Sequence, residues 1–379
     1  MKITVVGAGT AGCFTALQCA WIARCENSIE VELRYDPQIP AEPVGQGTNL
    51  DAPHLLTGAL DFNWYNNKIH ATPKSGILYE NWGKCNDKVF HPFFSDLMAM
   101  HYCPKEVQNL ILKSNKFKVI EQDVSSLDDI DSDYIFDCRG KPKNFEDYDT
   151  LINPINAVVL GKPKWNVSES LWSRHVATPD GWTFVIPNAE SSPSHDFCVG
   201  YCYNKNITSR EEAENNFTTM FDVDVKKHLE FSNYVAKNPV IDDRIILSGN
   251  RLFFLEPLES TATQAFQQWA QMALNTIVYK KFTLNEAAEQ IREYIQHLQN
   301  FVLWHYKFGS KYNTPFWEYA SSLVSSDPLF ERFVEGASYY GYDDVKPQNY
   351  GGRTPSDLGY AQWNLYSFRN WYDGMTKAS

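Results

Sequence analysis

Residues 3–6, Ile-Thr-Val-Val, form a short apolar run that stops at Gly7-Ala8-Gly9-Thr10-Ala11-Gly12. From Cys13 to Arg24 the apolar positions recur at helical spacing, which predicts a helix with Phe14, Leu17 and Trp21 inward. A second strand follows over Ile29–Asp36, then a glycine-containing loop, Val44-Gly45-Gln46-Gly47-Thr48, and a helix over about 52–60. Residues 104–113 read as helix, Lys118–Ile120 as strand, and Tyr134–Gly140 as a strand ending in a turn. The pattern then changes. Ser173–Ala177, Gly181–Pro187 and Phe197–Tyr203 predict an antiparallel sheet, and Ser209-Arg210-Glu211-Glu212 opens a short helix with a capping-box pattern. After Ile245–Leu247 and Leu252–Leu255 comes the corner Glu256-Pro257-Leu258-Glu259-Ser260-Thr261, with helix predicted from Ala262 to about Lys280. Thr283 with Glu286 caps a second helix, whose stripe Leu284, Ala287, Ile291, Ile295, Leu298 and Val302 predicts a buried face and which closes at His305-Tyr306. From Ser326 onward aromatic and polar residues alternate around Gly351-Gly352, and no fold follows from the pattern.

At 379 residues the chain is too long for one simple core, so two or three lobes are expected. Aromatic residues make up 15% of it, including 11 Trp, which suits an aromatic-lined cavity as well as an aromatic core. The net charge of −12, with no basic run, excludes nucleic acid as an expected partner. The eight cysteines show neither CxxC nor zinc spacing and read as reduced thiols. The acidic run at Asp128, Asp129, Asp131 and Asp133 lacks the glycine and closing glutamate of a calcium loop, so no metal is expected. The start, MKITVVGAG, reads as a strand rather than a leader, and no stretch reaches the length of a membrane span. A cytoplasmic protein is therefore expected.

Strand, then Gly7-x-Gly9-x-x-Gly12, then helix is the context in which that motif binds a dinucleotide. The glycines allow the tight turn, close approach of a pyrophosphate and close helix–strand packing. Asp36, about two dozen residues after Gly12, is the candidate for a ribose hydroxyl, with Glu32 as second choice. FAD and NAD both remain open on these residues. Gly45 and Gly47 form a second loop that could wrap the cofactor, and Asp137 ends a strand where a doubly wound sheet places its ligand. The Glu256–Thr261 corner opens a helix, whose N-terminal N–H groups suit a small anion beside Glu259; a plain capped helix is the alternative. By composition Lys74 would be a solvated surface group.

Together these residues resemble the flavin-dependent halogenases of the tryptophan-halogenase type, over roughly residues 1–320. The resemblance is carried by Gly7, Gly9 and Gly12; by Val44-Gly45-Gln46-Gly47-Thr48; by Asp137-Cys138-Arg139-Gly140; by Gly181-Trp182-Thr183-Phe184-Val185-Ile186-Pro187; and most specifically by Glu256–Thr261. His91-Pro92-Phe93 is similar to a family segment more weakly. The chain departs from the family in having Phe184 for a second tryptophan and Ala262 for a glycine, and it is shorter than the tryptophan-specific members.

The resemblance implies an α/β fold: a Rossmann-like FAD-binding domain of glutathione-reductase type (1–50, 115–160 and 240–280), interwoven with an antiparallel-sheet substrate lobe (51–114 and 161–239) and followed by a C-terminal helical region (281–379). It implies halogenation of a small aromatic substrate with FAD, reduced by a separate flavin reductase, oxygen and a halide ion; an oligomer is compatible with it. It makes Lys74 the essential lysine, holding hypohalous acid by hydrogen bond or as a haloamine, and Glu259 the group that stabilises the ring intermediate or accepts its proton. Thr261 and Ala262 would bind the halide, Gly249 and Asn250 would lie against the flavin, and Trp182, Phe184 and Ile186 would screen substrate from it. The departures imply a more open site and varied aromatic substrates. A flavin-dependent aromatic hydroxylase is the nearest rival, a flavin-binding module without catalysis the next, and an NAD-dependent dehydrogenase the weakest.

Overall fold

The computed structural model describes residues 1–26, 28–93, 98–280, 282–323, 363 and 365–378. The tail expectation from Ser326 falls mostly outside them. The chain divides into two compact units, 1–71 with 102–151 and 233–295, and 72–101 with 152–232 and 296–379.

The first unit is built on a six-stranded sheet in the order 240–241, 245–247, 134–137, 2–6, 30–35, 118–121. Its pairs are parallel except at the 240–241 edge, where Val240 opposes Ile246. Ile3, Val5, Leu33, Ile135 and Phe136 are buried in it, as continuous apolar strands covered on both faces require. Helix Thr10–Ala23 follows the first strand, with Phe14, Leu17 and Cys19 buried. Trp21, predicted inward, is 41% exposed. The far edge of its indole instead approaches Gly58, whose missing side chain leaves the room (a Cβ there would be 3.0 Å from the indole), with the Arg24 guanidinium 4.7 Å from its ring centre. A small antiparallel sheet, 148–150, 234–236 and 253–254, also belongs to this unit, as does the two-residue strand Gln46–Gly47. Helices Asp51–Leu60 and Pro104–Leu112, expected in the substrate lobe, belong to the first unit and pack on helix Thr10–Ala23.

The second unit centres on a seven-stranded sheet in the order 223–230, 157–163, 199–203, 181–185, 173–178, 76–80, 88–92. Its pairs are antiparallel, as expected, except one: Ser173–Val176 runs parallel to Ile77–Glu80, a pairing that joins segments nearly a hundred residues apart. Phe184 opposes Gly200, and its ring fills the space a side chain would take there. The Ser209 hydroxyl accepts the Glu212 N–H at 3.2 Å and starts helix Arg210–Met220. At Thr283 both halves of a capping box form: the Glu286 carboxylate accepts the Thr283 N–H at 2.7 Å, and the Glu286 N–H donates to the Thr283 hydroxyl at 3.2 Å. That box opens helix Leu284–Lys307, whose predicted stripe is buried throughout. The C-terminal region is not a unit of its own, because the chain passes from the first unit to the second within this helix. Helices Pro315–Ser322 and Leu365–Thr376 are further described helices of the second unit.

Candidate functional site

The first half of the candidate site lies at the C-terminal ends of the parallel strands. Gly7 has φ +104°, a conformation that favours glycine, and its N–H donates to Arg34 O at 2.8 Å as the last bond of the ladder between the first two strands. A side chain at Gly7 would reach to 2.4 Å from Cys138 O, and one at Gly12 to 1.9 Å from Gly7 O. These two glycines are therefore needed by the protein's own packing. Gly9 is different, because a side chain there meets nothing within 4 Å. Gly9 also precedes the first turn of helix Thr10–Ala23, which has no side-chain cap and no acid. Open space before uncapped N–H groups is what a pyrophosphate needs, so the residues present fit a dinucleotide.

Neighbouring side chains hold this turn in shape. Gln108 donates to Ala8 O at 2.6 Å, while Gln46 accepts from Thr10 at 3.2 Å and from Tyr102 at 2.6 Å. Gln46 lies between Gly45 and Gly47, which puts that loop beside the glycine turn. Gly249, at φ +58°, packs against Ala11, where a Cβ would come within 2.4 Å. Asn250 is exposed, and its carbonyl accepts the Tyr234 hydroxyl at 2.7 Å.

Asp137 is buried and already engaged. It accepts from Arg139 Nε at 2.8 Å, from a second Arg139 nitrogen at 2.9 Å, and from Arg251 Nε at 3.1 Å. Burial pushes its carboxyl up, but the hydrogen bonds and charges of Arg139 and Arg251 outweigh this and hold it below the usual carboxylate range. Its carboxylate thus anchors two arginines, which pattern alone did not reveal. Asp36 accepts the Gln38 N–H at 2.8 Å just beyond the second strand. The second choice, Glu32, is fully buried and paired with Arg34, Lys118 and Lys2, so it is committed to the fold. Asn49 escaped the sequence reading altogether: its amide is buried, and neither polar atom has a hydrogen-bond partner among the described residues.

The Glu256–Thr261 corner carries backbone strain. Glu259 (φ 67°, ψ 6°) and Ser260 (φ 56°, ψ 27°) are both left-handed, at about 1–3 kcal/mol each for residues with a side chain. The helix beyond begins at Thr261, one residue earlier than predicted, with no side-chain cap and no acid in its first turn. Thr261 is buried, and its hydroxyl has no hydrogen-bond partner among the described residues; Ala262 is half-buried beside it. Glu259 is buried as well. Strain of this kind persists only where surrounding structure enforces it.

The other candidate residues lie in the second unit. Lys74 is 1% exposed, contrary to what composition predicts for a lysine. Its ammonium nitrogen lies 5.2 Å from the centre of the Phe93 ring. His91, His101 and His175 are buried around it. Burial, with His305 and then Lys74 adding to it, drives the His91 pKa down to about 3, and burial with the charge of Lys74 holds those of His101 and His175 well below the ordinary value. These imidazoles are neutral at any physiological pH. Trp182 is fully buried, and its indole N–H donates to the Tyr306 hydroxyl at 2.9 Å. Phe184 and Ile186 follow it on the same face of the strand and are buried too.

The chain belongs to the tryptophan halogenase family, whose model matches residues 2–127 and 141–373. It is 23% identical over 169 residues to the tryptophan 7-halogenase RebH of Lentzea aerocolonigenes, covering 41% of this chain and 30% of that protein. It is 24% identical over 199 residues to the tryptophan 6-halogenase ThaL of Streptomyces albogriseolus, covering 47% and 36%. The matched stretches thus span about a third of these relatives' length. Among solved structures, MibH, a lanthipeptide tryptophan 5-halogenase, superposes with a TM-score of 0.81 at 16% identity, over 100% of this chain and 86% of that one. BrvH, a flavin-dependent halogenase from Brevundimonas sp. BAL3, gives 0.78 at 16% identity, over 100% and 90%. The fold is that of these proteins. Among the described residues no helix is long and apolar enough to cross a membrane, and no cluster of side chains could hold a metal ion.

Proposed function

We propose that this chain is a flavin-dependent halogenase acting on aromatic or heteroaromatic small molecules. The observation that carries the reading is Lys74, a lysine withdrawn from water beside the Phe93 ring and three buried neutral imidazoles. FAD, reduced by a separate reductase, would supply with oxygen the oxidising equivalents that turn halide into hypohalous acid. Gly9 and the uncapped N–H groups after it would hold its pyrophosphate, Asp36 a ribose hydroxyl, and the Gly45–Gly47 and Gly249–Asn250 turns its further contacts. Asp137 would act there through Arg139 and Arg251. Thr261, by its hydroxyl, and Ala262, by its backbone N–H, would bind the halide. Lys74 would hold the hypohalous acid, either by hydrogen bond or by exchanging one N–H proton for the halogen with loss of water. Glu259 would accept the proton that leaves the ring when halogen replaces hydrogen. Trp182, Phe184 and Ile186 would screen the substrate from the flavin.

The test supplies purified protein with FAD, a flavin reductase, NADH, oxygen and each halide over a panel of indoles and phenols, and reads product masses. Halogenated product is expected, and Lys74→Ala should abolish it while FAD binding stays intact. Oxygen insertion without halogen would make the protein a hydroxylase, and no product with any halide would leave a flavin-binding module. Product from Lys74→Ala would overturn the role of the lysine.

A further inference from the structure

Lys74 ends a strand of only three residues, Thr72–Lys74, paired with the strand from Ala99 so that Thr72 opposes His101 and Lys74 opposes Ala99. The middle residue is Pro73, which has no N–H to give to that ladder. Beyond it the backbone of Ser75 is held, its N–H donating to Leu171 O at 2.7 Å and its carbonyl accepting the Phe93 N–H at 2.8 Å, whereas at the Thr72 end side-chain bonds take over from the short ladder. The Thr72 hydroxyl donates to Pro187 O at 2.6 Å and lies 3.2 Å from His101 Nδ1, while His101 Nε2 lies 2.9 Å from Ser173 Oγ.

The direction of this chain follows from counting protons. A hydroxyl has one to give, and Thr72 gives it to the Pro187 carbonyl. Toward His101 the Thr72 oxygen can then only accept, so Nδ1 carries the proton. The neutral ring is left with a lone pair at Nε2, which accepts the Ser173 O–H. Burial, with the charge of Lys74 and the proximity of His175, keeps His101 in the neutral form that this requires. Ser173 belongs to the seven-stranded sheet, and Pro187 follows its Gly181–Val185 strand.

We infer that the Ser173–His101–Thr72 hydrogen-bond chain is a positioning element of Lys74, tying the Thr72 end of its short strand to the central sheet of the second unit at two points. His101 is a positioning residue that acts through Thr72 on the strand carrying the amine. The catalytic part of this inference rests on the halogenase reading of Lys74; the structural part does not.

Two measurements test it: steady-state halogenation, and the pH dependence of Lys74 acetylation by competitive labelling and mass spectrometry without flavin or halide. Thr72→Val and Ser173→Ala should each lower kcat about ten- to a hundredfold with KM and FAD affinity unchanged. Both should also shift the Lys74 labelling profile, and Thr72→Ser should restore kcat and profile together. Wild-type kcat and labelling in Ser173→Ala would overturn the inference, as would failure of Thr72→Ser to rescue. Should Thr72→Val not fold, His101→Asn, which keeps a donor toward Thr72 and loses the Ser173 bond, must reproduce Ser173→Ala. If the wild type yields no halogenated product at all, the labelling alone decides the positioning role, and only the halogenase reading falls.

Discussion

Replacing Gly9 by alanine separates the binding of a dinucleotide from the folding of the turn that binds it. Gly9 has φ −66° and ψ −179°, a conformation open to any residue, and an added methyl group meets no atom within 4 Å. The folded state therefore loses nothing, while the unfolded chain loses freedom, so Gly9→Ala without cofactor should be as stable as the wild type or more so by about 0.4–1 kcal/mol. The same methyl group intrudes on the space before the uncapped helix N–H groups. FAD affinity should fall at least about tenfold, or about 1.4 kcal/mol. Gly12→Ala is the control, because its methyl would lie 1.9 Å from the Gly7 carbonyl oxygen, a backbone atom that cannot rotate away. It should destabilise the unliganded protein by about 3 kcal/mol or more, at the upper end for overpacking. Urea unfolding without FAD and a fluorescence titration with FAD provide the two readouts. Wild-type FAD affinity in Gly9→Ala would refute the placement of the pyrophosphate, and wild-type stability in Gly12→Ala would refute the packing of the turn.

Asp137→Asn, which removes the charge facing Arg139 and Arg251, should cost about 2 kcal/mol at pH 7. Because the folded-state pKa of Asp137 is depressed, its contribution is complete above the ordinary carboxylate pKa of about 3.9 and is lost as pH falls through the lower folded value. The stability gap between wild type and variant should accordingly close below about pH 4 in chemical denaturation, and a gap independent of pH would disprove the ion pairs as its source. A methyl group at Gly200 would lie 2.1 Å from the tip of the Phe184 ring, so Gly200→Ala should destabilise by about 1–3 kcal/mol. Adding Phe184→Leu should return most of that loss; additive losses in the double variant would show the two residues to be uncoupled.

The sequence by itself determined what depends on neighbours along the chain. The strand, glycine turn and helix at 2–23 follow from apolar periodicity and from two glycines whose added side chains would strike backbone, and the Thr283–Glu286 box from a spacing of three. The residues of the Glu256–Thr261 corner were legible too, but not their left-handed backbone at Glu259 and Ser260, which the surrounding structure must enforce. Only tertiary structure decided that Trp21 turns outward beside Gly58, that the Asp137 carboxylate goes to two arginines, and that Lys74 is buried. Composition alone points a lysine to water, and only packed neighbours can withdraw it. His101 gave no local sign of its role, because its partners Thr72 and Ser173 stand 29 and 72 residues away in sequence. A hydrogen bond is specified by where two atoms meet in space, and no local pattern encodes that meeting.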